Sequence, residues 1–240
     1  MHPTTHYEHL ARLLDYPRRD LPAWVASTHE LLRGSYLVAA AHIEAFAKEL
    51  PTEGEPFSQE ALDEVQEIHT RSFEVQSITT LGVGYILFGD DYKRGDLLAN
   101  LSREMAALRI DPGDELPDHL PNVLRLLARW EDRALAAELA SEILHPAVTI
   151  MIQEFDERRT QQREAMYRKY FKTLIVTSPT RATIYREPLQ ALLEVLKVDY
   201  KLGTYRAPEN PAGSPFLGHL VRELRIEEKS DRTPGARRTA

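Results

Sequence analysis

Glu115-Leu116-Pro117-Asp118-His119-Leu120-Pro121 runs straight into Val123-Leu124-Arg125-Leu126-Leu127, and this junction decides how the chain is read. Proline lacks an N–H and holds φ near the helical value, so it suits a helix start. Leu120, Val123, Leu124 and Leu127 then recur at helical spacing. Asp118 stands where its carboxylate can accept hydrogen bonds from the first-turn N–H groups, and its charge suits the positive end of the helix dipole. On shape alone the stretch is a well-made helix start with His119 on its first turn. Neighbouring residues on a helix do not face each other, so Asp118 and His119 do not read as a catalytic pair.

The same periodicity extends in both directions. Tyr7, Leu10, Ala11 and Leu14 share a face after Thr5, and Asp20 with Pro22 opens a helix carrying Trp24, Val25, Thr28, Leu31 and Leu32. Gly34 interrupts it, and Ser35 can restart it through Ile43, Phe46 and Leu50. Residues 51–56 are a loop by composition. Ser58 caps a helix with Ala61, Val65, Ile68 and Phe73. Residues 77–89 are apolar nearly all round. Thr79, Thr80, Val83 and Ile86 make a strand locally feasible, but length and neighbours favour a buried helix in which Gly82 and Gly84 permit close packing. Leu98, Leu101, Met105 and Leu108 give the next helix, ended by Asp111-Pro112-Gly113-Asp114. Leu135, Leu139 and Ile143 lead to Pro146, which should kink or split the segment before Val148, Met151, Ile152 and Phe155.

Beyond Phe155 the composition turns polar, and Arg158-Arg159 reads as solvated charge. Met166, Tyr170, Phe171 and Leu174 give one more amphipathic helix, and Leu189, Leu192, Leu193 and Leu196 another. A Gly- and Pro-rich stretch follows. Leu217, Leu220, Val221 and Leu224 then recur on a segment too short to be a stable helix alone. Residues 229–240 read as a disordered tail. No stretch alternates with period two for long. The expectation is an all-α protein, a single globular helical domain with short connections and a C-terminal helical extension. Its parts are a core over 1–156, added helices packing on it over 157–202, and a loop, short amphipathic helix and tail over 203–240.

Composition narrows the function. The 240 residues are 42% hydrophobic, carry a net charge of −7 and include no cysteine. Indiscriminate nucleic-acid binding is disfavoured by that charge. Disulfides, thiolate metal sites and cysteine nucleophiles are excluded. No apolar run approaches a membrane span, and the first residues do not resemble a secretory signal. These features suit the cytoplasm without stable membrane insertion. His6 and His9 share a helix face, but no carboxylate motif completes a metal site. His69, His119 and His145 are isolated in sequence, and nothing marks a nucleophile for a hydrolytic triad. Gly82-Val83-Gly84 lacks the third glycine of a dinucleotide fingerprint. Residues 89–96 match neither a calcium loop nor a phosphate loop.

As a string, Glu115-Leu116-Pro117-Asp118-His119-Leu120-Pro121 ahead of an apolar helix resembles the signature segment of the delta-subunit chaperones of respiratory nitrate reductase. These belong to the wider NarJ/TorD-type family of molybdoenzyme maturation chaperones. Phe88-Gly89-Asp90-Asp91-Tyr92-Lys93-Arg94-Gly95-Asp96-Leu97-Leu98 resembles that family's glycine-aspartate turn and Arg-Gly helix start. The likeness covers roughly residues 7–155. The family's usual Tyr-x-x-x-Phe pattern is here His69-Thr70-Arg71-Ser72-Phe73, and the extension after Phe155 is longer than the family pattern.

The resemblance implies an all-helical, non-enzymatic, cytoplasmic chaperone. Its client would be the apo catalytic subunit of a molybdenum oxidoreductase, bound through its N-terminal segment. It would hold that subunit competent for insertion of molybdopterin guanine dinucleotide before membrane docking or export. The cofactor would belong to the client, with none bound stably by the chaperone. Glu115, Leu116, Pro117, Asp118, His119, Leu120 and Pro121 match the first segment, Gly89, Asp90, Arg94 and Gly95 the second, and Phe73 a family aromatic. These are the candidate client-binding residues. An apolar groove would take an amphipathic peptide, with Asp90, Asp91, Glu115 and Asp118 pairing its basic groups. Alanine at Asp118 and His119 should then weaken binding without unfolding the chain. A homodimer stays open. The competing readings are a general helical interaction scaffold without a molybdoenzyme client, and an all-α enzyme or metal protein. The first is weakened by the lack of an internal repeat, the second by the lack of paired Glu-x-x-His motifs.

Overall fold

The computed structural model describes residues 5–51, 56–170, 181 and 183–205. Phe171, Leu174, the amphipathic segment 217–224 and the tail 229–240 lie outside them. Within the described residues the protein is all-α. In chain order come α1 (Thr5–Leu14), α2 (Leu21–Leu32), α3 (Leu37–Glu49), α4 (Gln59–Phe73), α5 (Val83–Phe88), α6 (Tyr92–Ala107) and α7 (Leu120–Arg129). They are followed by α8 (Arg133–Glu138), a π-helical turn (Leu139–Leu144), α9 (His145–Glu154), α10 (Glu157–Tyr170) and α11 (Arg186–Tyr200).

Helix α7 stands at the centre of the site described below. Its N-cap is His119, whose side chain makes no capping bond, with proline in the first turn. Burial compensates. Leu120, Val123, Leu124, Leu126 and Leu127 are all fully buried. Five such side chains contribute on the order of 10 kcal/mol before chain entropy is subtracted, against about 1 kcal/mol for a cap. The partner of α7 is α1, whose Tyr7, Leu10, Ala11 and Leu14 are buried. Helix α2 bridges α1 and α3.

The helix after the polar stretch is integral to the core. Helix α11 packs on α3, α9 and α1, with Leu189, Ala191, Leu192, Val195 and Leu196 fully buried. Its end is fastened by Asp199, which accepts hydrogen bonds from Tyr7 Oη at 2.8 Å and Tyr36 Oη at 2.6 Å and lies 2.8 Å from His6 Nε2. His6 is thereby occupied in joining α1 to α11.

Three local expectations change. Residues 77–89 are not one helix. Only α5 is helical, and Gly82 pairs with His119 in an isolated antiparallel bridge. Val83 N–H donates to Asp118 O at 2.9 Å and Leu120 N–H to Leu81 O at 2.8 Å. These tertiary bonds satisfy backbone groups that a longer helix would have had to satisfy itself. The stretch Glu157–Arg163 is not uniformly solvated. Glu154 is fully buried and pairs with Arg159 at 2.7 Å and Arg163 at 3.5 Å, and Arg163 is itself 2% exposed. Pro146 does not split its helix. Residues Arg133–Glu154 run as one helix, and the π-turn lets His145 N–H reach Ala140 O, five residues back, so the wider turn takes up the proline. The expectation that no apolar run approaches a membrane span also changes: by length and composition this 22-residue helix is apolar enough to cross one, with 61% of its apolar window buried inside the protein, as in a core helix.

Candidate functional site

The two segments that carry the family likeness meet in space. Asp118, 1% exposed, does not cap α7. Its Oδ2 accepts from Arg94 Nε at 3.0 Å, across 24 residues of sequence. The capping expectation fails because the bridge to Gly82 turns the Asp118 side chain toward α6 instead of back along α7. Arg94 also lies over the Tyr85 ring, 5.3 Å from its centroid. Gly84 lets this pair close on α5. A Cβ there would stand 2.8 Å from Asp118 Oδ2 and 3.1 Å from both Arg94 Cγ and Leu97 Cδ2. Gly89 ends α5 at φ +59°, a conformation glycine adopts without strain. Asp91 then caps α6 through Lys93 N–H at 3.0 Å.

With Asp118 fixed, two of its neighbours in the segment face a cleft of about 410 Å³ between α1, the α1–α2 turn, the start of α2, the end of α4, the loop before α7 and α7 itself. Glu115 and His119 line it. Asn122 holds the loop in place, donating to Pro112 O at 3.1 Å and Leu116 O at 3.4 Å. The opposite wall comes from Asp15, Tyr16, Arg18 and Trp24, and His69 with Glu74 closes the end. Tyr16, one of the lining residues, is 49% exposed, and the exposed Val75 and Leu116 directly follow the lining residues Glu74 and Glu115 in sequence.

The cleft is acidic. Asp15, Asp20, Glu74, Asp114 and Glu115 outnumber Arg12, Arg18 and Arg125. Two of those arginines are engaged already. Arg125 pairs with Asp15 and lies 3.6 Å from Glu8, and Arg12 sits 5.4 Å from the centre of the Trp24 ring. Burial, reinforced by the charge of Glu115, pushes the Glu74 carboxyl above its ordinary pKa. A cation entering here would relieve that repulsion. The histidines add no charge at neutral pH. Burial lowers the His119 pKa against the pull of Glu115, Asp15 and Asp118. Burial likewise takes His69 down to about 4, its Nε2–H donating to Leu14 O at 3.2 Å.

The remaining sequence candidates are placed differently. Leu120 and Pro121 are buried in the α7 contact, and Pro117 is half-buried. Asp90 and Gly95 are exposed, and nothing crowds Gly95. Phe73 is 5% exposed and packs edge-on against His69, Tyr185 and Phe155, so it supports the cleft from the core side. Asp15, Tyr16, Trp24, His69 and Glu74 were not singled out together by sequence reading. They lie up to about a hundred residues from His119, and no local spacing marks them. Among the described residues no group of three or more His, Asp or Glu side chains is arranged to hold a metal ion.

No protein-family model matches the chain, and no curated protein matches it.

Proposed function

We propose that this protein is a cytoplasmic, non-enzymatic chaperone for the catalytic subunit of a molybdenum oxidoreductase of the nitrate reductase kind. It takes the N-terminal segment of the apo subunit into the acidic cleft and holds the subunit until molybdopterin guanine dinucleotide is inserted. Docking of the loaded enzyme at the membrane, or its export, then follows. The cofactor stays with the client.

One observation carries this reading. The two segments that resemble the chaperone family are joined by the Arg94–Asp118 pair, and the joined unit presents Glu115 and His119 to a cleft with acidic walls that also exposes the rings of Tyr16 and Trp24. That combination suits an amphipathic peptide with basic residues, the apolar side chains giving affinity and the carboxylates giving register and on-rate.

The test has two arms. A pull-down from native cytoplasm under molybdenum-replete anaerobic growth, read by mass spectrometry, is expected to recover a molybdoenzyme catalytic subunit in near one-to-one amount and poor in cofactor. A synthetic peptide of that subunit's N-terminal segment is then titrated against tryptophan fluorescence in a Trp130→Phe background, where Trp24 is the sole tryptophan. Asp114→Lys with Glu115→Lys, both exposed in the free protein, should weaken binding at least about tenfold at low salt, or about 1.4 kcal/mol. Recovery of unrelated partners only would leave a general helical binding module. Unchanged peptide affinity in the double variant would remove the cleft from the reading.

A further inference from the structure

A second groove lies away from the acidic cleft, between α6 and the long helix Arg133–Glu154. It encloses about 420 Å³. Its floor is apolar, built from Leu97, Leu101, Trp130, Leu135, Leu139 and Ile143. Leu135 is 36% exposed there. The rim carries Glu104, Glu138 and Glu142 against Arg103. The π-turn forms part of one wall, and such turns are frequent at functional sites.

The described chain ends against the same long helix that walls this groove. Tyr205 packs against His145, ring centroids 5.9 Å apart, and His145 directly follows the π-turn. Twelve positions after Tyr205 the sequence carries Leu217, Leu220, Val221 and Leu224 at i, i+3, i+4 and i+7, with Arg222 and Glu223 inside the run and Arg225 directly after it. The eleven-residue connection, 206–216, has a root-mean-square reach of about 20 Å as a flexible coil and a limit of about 40 Å when extended. Either spans a helical turn or two beyond His145.

We propose that the groove is the docking site of this chain's own C-terminal segment, residues 217–224. The four apolar residues make one helical stripe, which is what a groove floored by leucine, isoleucine and tryptophan accepts. The arginines match a rim dominated by glutamates. A second copy of the chain is the weaker occupant. Each copy carries net charge −7, and an eleven-residue tether gives the chain's own segment an effective concentration of about millimolar. Docking also resolves the instability of so short an amphipathic segment, which cannot be helical alone. This inference does not rest on the chaperone reading.

The absence of cysteine makes the test direct. Leu135→Cys and Leu220→Cys are introduced together into the full chain, which is oxidised with diamide at low micromolar concentration. The expected product is a monomer with an intramolecular disulfide, mapped by peptide mass spectrometry. It should form at least tenfold faster than in a control pairing Leu220→Cys with Val198→Cys, a position 57% exposed on α11 and outside the groove. Glu142→Cys with Leu220→Cys is a second pair that removes no apolar contact from the floor, and it should behave like the first. Disulfide-linked dimers would assign the groove to a second copy and overturn the proposal. Equal rates in groove and control pairs, or no disulfide, would overturn it as well.

Discussion

Replacing Arg94 with methionine tests whether the Arg94–Asp118 pair holds the two resembling segments together. The carboxylate of Asp118 is 1% exposed, with Oδ2 on Arg94 Nε at 3.0 Å. Its Oδ1 has no hydrogen-bond partner among the described residues. Arg94 is therefore the counter-charge for a carboxylate that water scarcely reaches. Removing one member of a buried pair costs about 3–5 kcal/mol, because an uncompensated charge remains. The Arg94 side chain is 20% exposed, so some water can follow the vacated guanidinium, and the lower end, about 3 kcal/mol, is the expectation. At about 2–4 °C per kcal/mol for a chain of this length, the midpoint falls by about 6–12 °C.

Urea and thermal unfolding followed by circular dichroism at neutral pH measure this. The assay gains force as a cycle with Asp118→Asn and the double variant. Asparagine removes the charge that Arg94 balances, so the double variant should lose less than the two single losses added together, with a coupling of at least about 1 kcal/mol. Additive losses, or an Arg94→Met variant within about 0.5 kcal/mol of the parent, would refute the claim that this pair fastens α6 to the start of α7.

Two further outcomes follow from the same geometry. Gly84→Ala should destabilise by about 1–3 kcal/mol, since its Cβ would stand 2.8 Å from Asp118 Oδ2. Helix propensity alone would stabilise it by about 1 kcal/mol, so the sign in a urea titration decides between the two effects. His69, taken by burial from 6.5 to about 4, makes stability pH-dependent. Between those values the unfolded chain binds a proton that the folded chain refuses, so stability falls as pH drops through that window and is level above it. The loss reaches about 3 kcal/mol, and His119, also lowered by burial, acts in the same direction. His69→Gln, whose amide can still donate to Leu14 O, should flatten much of the slope. An unchanged slope would place the titration elsewhere.

Much of the architecture was legible because its signals are local. Ser58 does cap α4, accepting from Ala61 N–H at 3.2 Å, and Asp20 with Pro22 does open α2. The α7 stripe read from 120 to 127 is buried as its spacing requires. What stayed hidden is tertiary. Residues 77–82 have a helical setting in sequence, yet a bridge to Gly82 drawn from the far side of α6 decides their conformation. Arg159 and Arg163 look solvated until Glu154 is found buried beneath them. The cleft gathers side chains from positions 12 to 125, and a window of any ordinary length cannot see such a set. Family likeness did single out both Arg94 and Asp118, but only the fold makes them partners.

That partnership alters how the motif should be probed. Within Glu115–Pro121, Asp118 is spent on Arg94, the backbone of Asp118 and Leu120 on the bridge to residues 81–83, and Leu120 and Pro121 on the α7 contact. Alanine at Asp118, expected from sequence to weaken binding without unfolding the chain, would also remove the Arg94 contact. Any loss of binding in that variant would mix a missing contact with a displaced loop. The residues free to meet a partner are Glu115 and Leu116, the latter 52% exposed, together with the imidazole of His119 at the cleft wall. Substitutions at Glu115 and Leu116 change the face offered to a partner while the Arg94–Asp118 pair keeps the loop in place. A binding defect there with an unchanged unfolding midpoint would assign the segment a recognition role in addition to its structural one. A defect appearing only in variants that also lower the midpoint would make it a structural clasp with no recognition role.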